Sequence, residues 1–132
     1  MHIILCLDDR NGMLFNHRRL SSDRDVCQRI AENASGKLWM NSYSAKLFAD
    51  YEVCVDEEFL QKAAAGDTCF VESPDFAETA EDIQSITVYR WNRAYPADQK
   101  LPDQILTQWQ MTASVDFPGN SHEIITEEKY TK

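Results

Sequence analysis

The sequence predicts an α/β fold: a single, mostly parallel sheet flanked by helices and ending in a C-terminal antiparallel hairpin. Three observations carry that expectation. Ile3, Ile4, Leu5, Cys6 and Leu7 form an unbroken apolar run that stops at Asp8-Asp9, with Asn11-Gly12 behind it. A run that short and rich in β-formers reads as a strand buried on both faces, and such strands belong to sheets covered by helices. Strand-like and helix-like segments then alternate as far as Trp91, with connections long enough for right-handed parallel crossovers. Beyond Trp91 the rhythm changes. Residues 109–117 and 123–130 are extended segments joined by Pro118-Gly119-Asn120, a hairpin in outline.

In order, the first strand leads into a polar loop holding Asn16, His17, Arg18, Arg19, Ser21, Ser22 and Asp23. Ser22 followed three residues later by Asp25 predicts a helix start capped by Ser22. Val26, Cys27, Ile30 and Ala34 share one face at helical spacing, and Ser35-Gly36 closes the helix. Residues 37–40 read as a short strand, and Asn41-Ser42 opens a short helix through Phe48. Residues 52–55 form a third strand. Asp56 then caps a helix with Phe59 and Leu60 on its apolar face, ended by Gly66-Asp67. Residues 68–71 are a fourth strand, broken at Glu72-Ser73-Pro74. A weak acidic helix over 76–82 leads to a fifth strand at 85–91, and 95–102 is a non-repetitive loop. The chain suits one domain with one core, spanning 1–132.

A formal charge of −9 argues against a nucleic-acid-binding surface, which needs Lys and Arg to release phosphate counterions, and against an anionic membrane surface. Yet Arg10, Arg18, Arg19, Arg24 and Arg29 crowd into one short stretch. Their plain role is to neutralise Asp8, Asp9, Asp23 and Asp25 nearby; their sharper role is a local positive site for a small anion. Cys6, Cys27, Cys54 and Cys69 form no CxxC or CxxH pair, so no zinc site is expected, and His2, His17 and His122 lie too far apart in sequence to suggest another metal. With no signal peptide, no long apolar span and reduced thiols, a cytoplasmic home is expected. Trp39, Trp91 and Trp109 read as core or edge packing. Alternatively Trp91 and Tyr95, flanked by Arg90 and Arg93, make a flat contact surface.

With its elements in this order, the chain resembles dihydrofolate reductase and its relatives. The opening strand with Gly12-Met13 and the loop to Ser21-Ser22-Asp23 looks like the family's first strand, mobile loop and acidic helix start. Leu38-Trp39-Met40-Asn41 with Ser44 is similar to the strand running into the cofactor-binding helix. Tyr95-Pro96-Ala97-Asp98 with Leu101-Pro102 is similar to its GD-x-x-FP loop. Trp109, Ser114, Asn120-Ser121-His122 and Tyr130 look like its closing hairpin. The match is colinear over nearly the whole chain, with a shortfall between Phe48 and Asp56.

The resemblance also marks departures. Glu72-Ser73 stands where the family has paired glycines that let the backbone approach the cofactor pyrophosphate; the added carboxylate repels phosphate. Asn41-Ser42-Tyr43-Ser44 replaces the Gly-Arg-x-Thr segment that holds the 2′-phosphate side, and Tyr89 stands at the strand threonine near the pterin. Ser44, Glu72 and Ser73 are thus the family's cofactor positions without its cofactor chemistry, and no cofactor is expected. Asp23 carries over as the acidic group that binds and helps protonate a pterin, which implies a carboxylate whose pKa burial has raised.

The function expected is a cofactor-site-degenerate dihydrofolate reductase-like protein. It binds a small, anionic ligand at the end of the first strand, using Asn16, Arg18, Arg19, Ser22 and Tyr89 around Asp23. Open α/β sheets place their ligands at that edge. One alternative is a working NADP(H)-dependent reductase of the dihydrofolate or pterin type; another is a non-catalytic interaction module that forms a homodimer or binds a protein partner.

Overall fold

The computed structural model describes residues 1–132, apart from the side chain of Ala80. In chain order its elements are β1 (His2–Leu7), β2 (Gly12–Phe15), β3 (Arg18–Arg19), α1 (Arg24–Asn33), β4 (Leu38–Met40) and α2 (Ser42–Ala45), which runs into a 3-10 turn (Lys46–Phe48). Then come β5 (Cys54–Val55), α3 (Phe59–Lys62) and β6 (Thr68–Phe70), followed by 3-10 turns over Pro74–Asp82. The chain ends with β7 (Ser85–Arg90), β8 (Gln99–Lys100), α4 (Asp103–Thr107), β9 (Gln110–Phe117) and β10 (Ile125–Thr131).

The main sheet has seven strands in the order β5-β4-β6-β1-β7-β10-β9. β1 pairs in parallel with β6 and β7, and β4 in parallel with β5 and β6. β10 runs antiparallel to both β7 and β9, so the mostly parallel sheet does close on a hairpin. β1 lies at the centre, as its apolar run requires. Successive strand side chains point to opposite faces. Ile3, Leu5 and Leu7 accordingly pack with Val71, Phe76, Ile86 and Val88, while Ile4 packs with Val26, Ile30, Phe48, Phe70 and Tyr89 under α1. Each of these aliphatic side chains stabilises the fold by about 1.5–3 kcal/mol through burial.

Several sequence expectations change. The polar loop after β1 contains a hairpin, β2–β3, which joins β8 in a separate three-stranded sheet. Asn16 and His17 turn it in the left-handed region, at φ 51° and 63°; Asn tolerates that region, and hairpin turns need it. α1 is capped by Asp23 rather than Ser22. Asp23 is extended (φ −150°, ψ 128°), and its carboxylate accepts the N–H of Asp25 and Val26. α4 was not foreseen. The acidic segment at 74–82 forms 3-10 turns, not an α-helix. The shortfall after Phe48 leaves β5 only two residues long.

At the other margin, β9 is the sheet's open edge, exposed from Gln110 to Asp116. Among the described residues, no helix is long and apolar enough to cross a membrane.

Candidate functional site

The C-terminal end of β1 is organised by a buried carboxylate. Asp8 accepts the backbone N–H groups of Arg10 (2.9 Å), Gly12 (2.6 Å) and Tyr95 (2.9 Å), tying the turn after β1 to the loop that follows β7. Burial alone raises its pKa, but these donors outweigh it and hold the carboxyl below its usual range. Gly12 is obligatory there: a Cβ would lie 2.8 Å from the Ala97 Cβ and 2.9 Å from Asp8 Oδ1.

Asp23 is the second anchor, with a fully buried side chain. Besides capping α1 it accepts the N–H of Asn120 (3.0 Å) and Ser121 (2.8 Å) from the β9–β10 turn. His122 Nδ1 lies 3.0 Å from Asp23 Oδ2. Gly119 makes room for this knot, since a Cβ there would come within 2.7 Å of Asp23 Oδ2. Burial pushes the Asp23 carboxyl up, yet the Asn120 N–H, His122, and the N–H groups of Ser121 and Asp25 pull it far below the usual range. The direction is opposite to the raised pKa implied by the family role, because hydrogen bonds to the charged form win over burial.

An ionised Asp23 can only accept, so the shared proton sits on His122 Nδ1, and in the neutral ring Nε2 is an acceptor. Nε2 lies 3.0 Å from Ser21 Oγ and 3.4 Å from the Tyr95 hydroxyl. The ring is buried and stacks on Trp91 with centroids 4.7 Å apart and planes 23° from parallel. Trp91 is therefore core, not a flat contact surface, because His122 and the α1-side core cover it.

The third feature is Arg19. Its Nε and Nη2 donate to Glu72 Oε2 (2.8 Å) and Oε1 (2.9 Å), and its guanidinium lies 4.2 Å over the Tyr43 ring. Ser44 Oγ donates to the same Glu72 Oε1 at 2.7 Å. At the start of α2, Asn41 accepts the Ser44 N–H, and Glu57 takes both the N–H (3.0 Å) and the hydroxyl (2.6 Å) of Ser42. The Arg19 guanidinium and the hydroxyls of Ser42 and Ser44 are thus engaged by the chain's own carboxylates. Glu57 and Glu72 bring two negative side chains to the start of α2 and the end of β6.

Cys6, Arg19, Ser21, Asp23, Glu72 and Trp91 line a narrow cleft here, with room of about 20 Å³, that of a single water. Outside it an open cup of about 370 Å³ is formed by Phe15, Asn16, Arg18, Arg19, Leu20, Tyr95 and Pro96. Arg19 and Leu20 belong to both. Of the residues singled out in the sequence, Arg19, Ser22, Asp23 and Glu72 meet in the cleft, and Asn16 and Arg18 in the cup. Ser44 reaches the site only through Glu72, and Ser73 lines neither space. Tyr89 lines neither as well. Its hydroxyl donates to Glu127 at 2.7 Å beneath α1, where Arg29 also holds Glu127 at 3.0 Å.

The arginines do not neutralise the aspartates beside them in sequence. Arg19 and Arg29 pair with Glu72 and Glu127, because Asp8 and Asp23 are already saturated by backbone N–H groups. Among the described residues, Arg18 pairs with no carboxylate. Sequence reasoning missed His122 as the partner of Asp23 and Ser21 as the partner of His122. Only the similarity of Asn120-Ser121-His122 to the reductase closing hairpin drew attention to that turn.

No protein-family profile matches this sequence, and no curated protein sequence matches it either. The fold is another matter. Dihydrofolate reductase from Enterococcus faecalis, solved complexed with NADP(H) and RAB-propyl, superposes with a TM-score of 0.67 over 98% of this chain and 95% of that one, at 13% identity. The strand order with β1 at its centre, the antiparallel closing hairpin and that superposition together make this a dihydrofolate reductase-like fold.

Proposed function

We propose that this chain is a cofactor-site-degenerate protein on a dihydrofolate reductase-like fold, which binds a small ligand with one anionic group at the end of β1. The observation that carries the reading is the Glu72 carboxylate, seated on Arg19 and Ser44 where the resemblance implies a cofactor phosphate. A diphosphate has no place beside it. The cup outside offers an aromatic and proline wall of Phe15, Tyr95 and Pro96 with Arg18 and Asn16 on its rim, which suits a small apolar body bearing one carboxylate or phosphate. The inner cleft admits nothing larger than water until the β2–β3 hairpin lifts and the Arg19–Glu72 pair opens.

The test is thermal shift together with tryptophan fluorescence, using Trp91 beside His122 as reporter. Small aromatic carboxylates, pterins, folates, flavins and mononucleotides are the panel, with NADPH as the contrast. At least one small anion is expected to raise Tm by a few degrees, weakened in Arg18→Ala, while millimolar NADPH leaves the fluorescence unchanged. Saturable quenching by NADPH, or its oxidation with dihydrofolate, would overturn the reading in favour of a reductase.

A second reading, a homodimerising interaction module, draws on one observation: the exposed β9 edge with Met111 and Val115 each nearly half exposed. Light scattering decides it, since a strict monomer at high concentration rules it out.

A further inference from the structure

Ser21, His122 and Asp23 form a continuous chain of polar contacts beside the cleft. Ser21 Oγ lies 3.0 Å from His122 Nε2, and His122 Nδ1 lies 3.0 Å from Asp23 Oδ2. This is the order of contacts by which a carboxylate fixes an imidazole and the imidazole takes a hydroxyl proton. We propose that Ser21 is a nucleophile, activated by His122 and oriented through Asp23, toward small carboxylic esters that reach it from the open cup when the β2–β3 hairpin lifts off the cleft at the end of β1. The proposal rests on the binding reading above and adds a reaction to it.

Each part has the support such a relay needs. Asp23 is locked by backbone donors on both sides, from α1 and from the β9–β10 turn, so it can orient the ring without moving. His122 is held from a second direction by the Trp91 stack. Ser21 itself is half-buried and lines the cleft next to Arg19 and Leu20, which continue into the open cup. The thiols there, Cys6 and Cys27, have pKa values pushed up by burial, that of Cys27 to about 11, so they stay protonated, and the neighbouring Ser22 hydroxyl makes no hydrogen bond to His122 that could activate it. The charged side chains lining the cleft are Arg19, Asp23 and Glu72, one positive and two negative, which disfavours a phosphate ester and leaves a carboxylic ester as the electrophile.

The step balances without a co-reactant other than water. Ser21 Oγ attacks the ester carbonyl carbon; the new C–O bond forms as the bond to the alcohol oxygen breaks. The hydroxyl proton passes to His122 Nε2 and on to the departing alcohol. Water then attacks the acyl carbon, its proton returning through Nε2 to Ser21 Oγ as the acid leaves.

The experiment incubates the full chain with p-nitrophenyl acetate and, separately, with a fluorophosphonate probe, and locates the adduct by peptide mass mapping. The expected result is one acyl or phosphonyl group on Ser21, with a burst of nitrophenolate near one equivalent. Ser21→Ala abolishes it, and His122→Gln slows it by about 10²–10⁴-fold, the range for loss of a general base. Asp23→Asn also loosens the tie between α1 and the β9–β10 turn, because an amide nitrogen cannot accept the bonds made to the second carboxylate oxygen, so the two other variants carry the test, each checked by its thermal melt. An adduct on Cys6, Cys27 or a lysine, or labelling equal in Ser21→Ala, overturns the proposal. A thermal shift with small carboxylates but no Ser21 adduct overturns the nucleophile and leaves the binding reading standing. A Ser21 adduct without any such shift overturns the binding reading alone.

Discussion

Arg19 on β3 and Glu72 just past β6 meet through two nearly equal N–H···O bonds, 2.8 and 2.9 Å long, and so pin the β2–β3 hairpin over the end of β1. Both side chains are largely shielded, at 21% and 11% exposure. Removing one partner leaves the other desolvated and unpaired. Arg19→Met and Glu72→Gln are each expected to destabilise the fold by about 1–3 kcal/mol in urea denaturation. The double variant should lose less than the sum of the two. Additive losses would mean the pair does not act as a unit.

Acid should unfold the protein early, and Asp23 is the main reason. Its folded pKa lies below its unfolded one, as do those of Asp8 and Glu127. Groups of that kind stabilise fully above the unfolded carboxylate range of about 4 and lose the contribution as pH falls through their folded values. Asp23→Asn should therefore cost about 1–3 kcal/mol at neutral pH and flatten the stability profile below pH about 4. A variant whose acid transition still matches that of the parent would refute this.

β1 and α1 were legible because each is written in local periodicity: an apolar run in one case, and Val26, Cys27 and Ile30 on one face in the other. The β2–β3 hairpin was not, because two arginines are poor strand signals and Asn16-His17 lacks the glycine that usually announces such a turn. α4 escaped for a similar reason: it is five residues long and only Leu106 is buried. Ser21 and His122 stand 101 residues apart, and no local pattern links them. The same distance hid which carboxylate each arginine meets.

Tyr89 separates a structural role from the functional one implied by its alignment. Its hydroxyl is buried against Glu127, and burial with that neighbouring charge drives its pKa far up. Tyr89→Phe should destabilise by about 1.5–3 kcal/mol, the usual range for a hydrogen bond to a charged group. Because Tyr89 lines neither cleft nor cup, small-anion affinity should stay unchanged. A loss of affinity in isothermal titration would return Tyr89 to the ligand site.

The thiols give a further check on packing. Cys27 and Cys69 are buried, with pKa values raised to about 11 by that burial, and Cys6 is raised as well. In the native protein at pH 8, a disulfide-exchange reagent should react promptly with Cys54 alone, and with all four thiols once urea is added. Fast reaction of Cys6 or Cys27 would mean that the hairpin does not cover the cleft.

The naked margin of the sheet has a colloidal consequence. β9 offers a row of backbone donors and acceptors, interrupted once where the register shifts at Thr112, with Asp116 as its only charge and none of the lysines or prolines that usually blunt such a row. In concentrated samples, turbidity should therefore begin by strand addition along Gln110–Phe117, while the interior keeps its native spectrum.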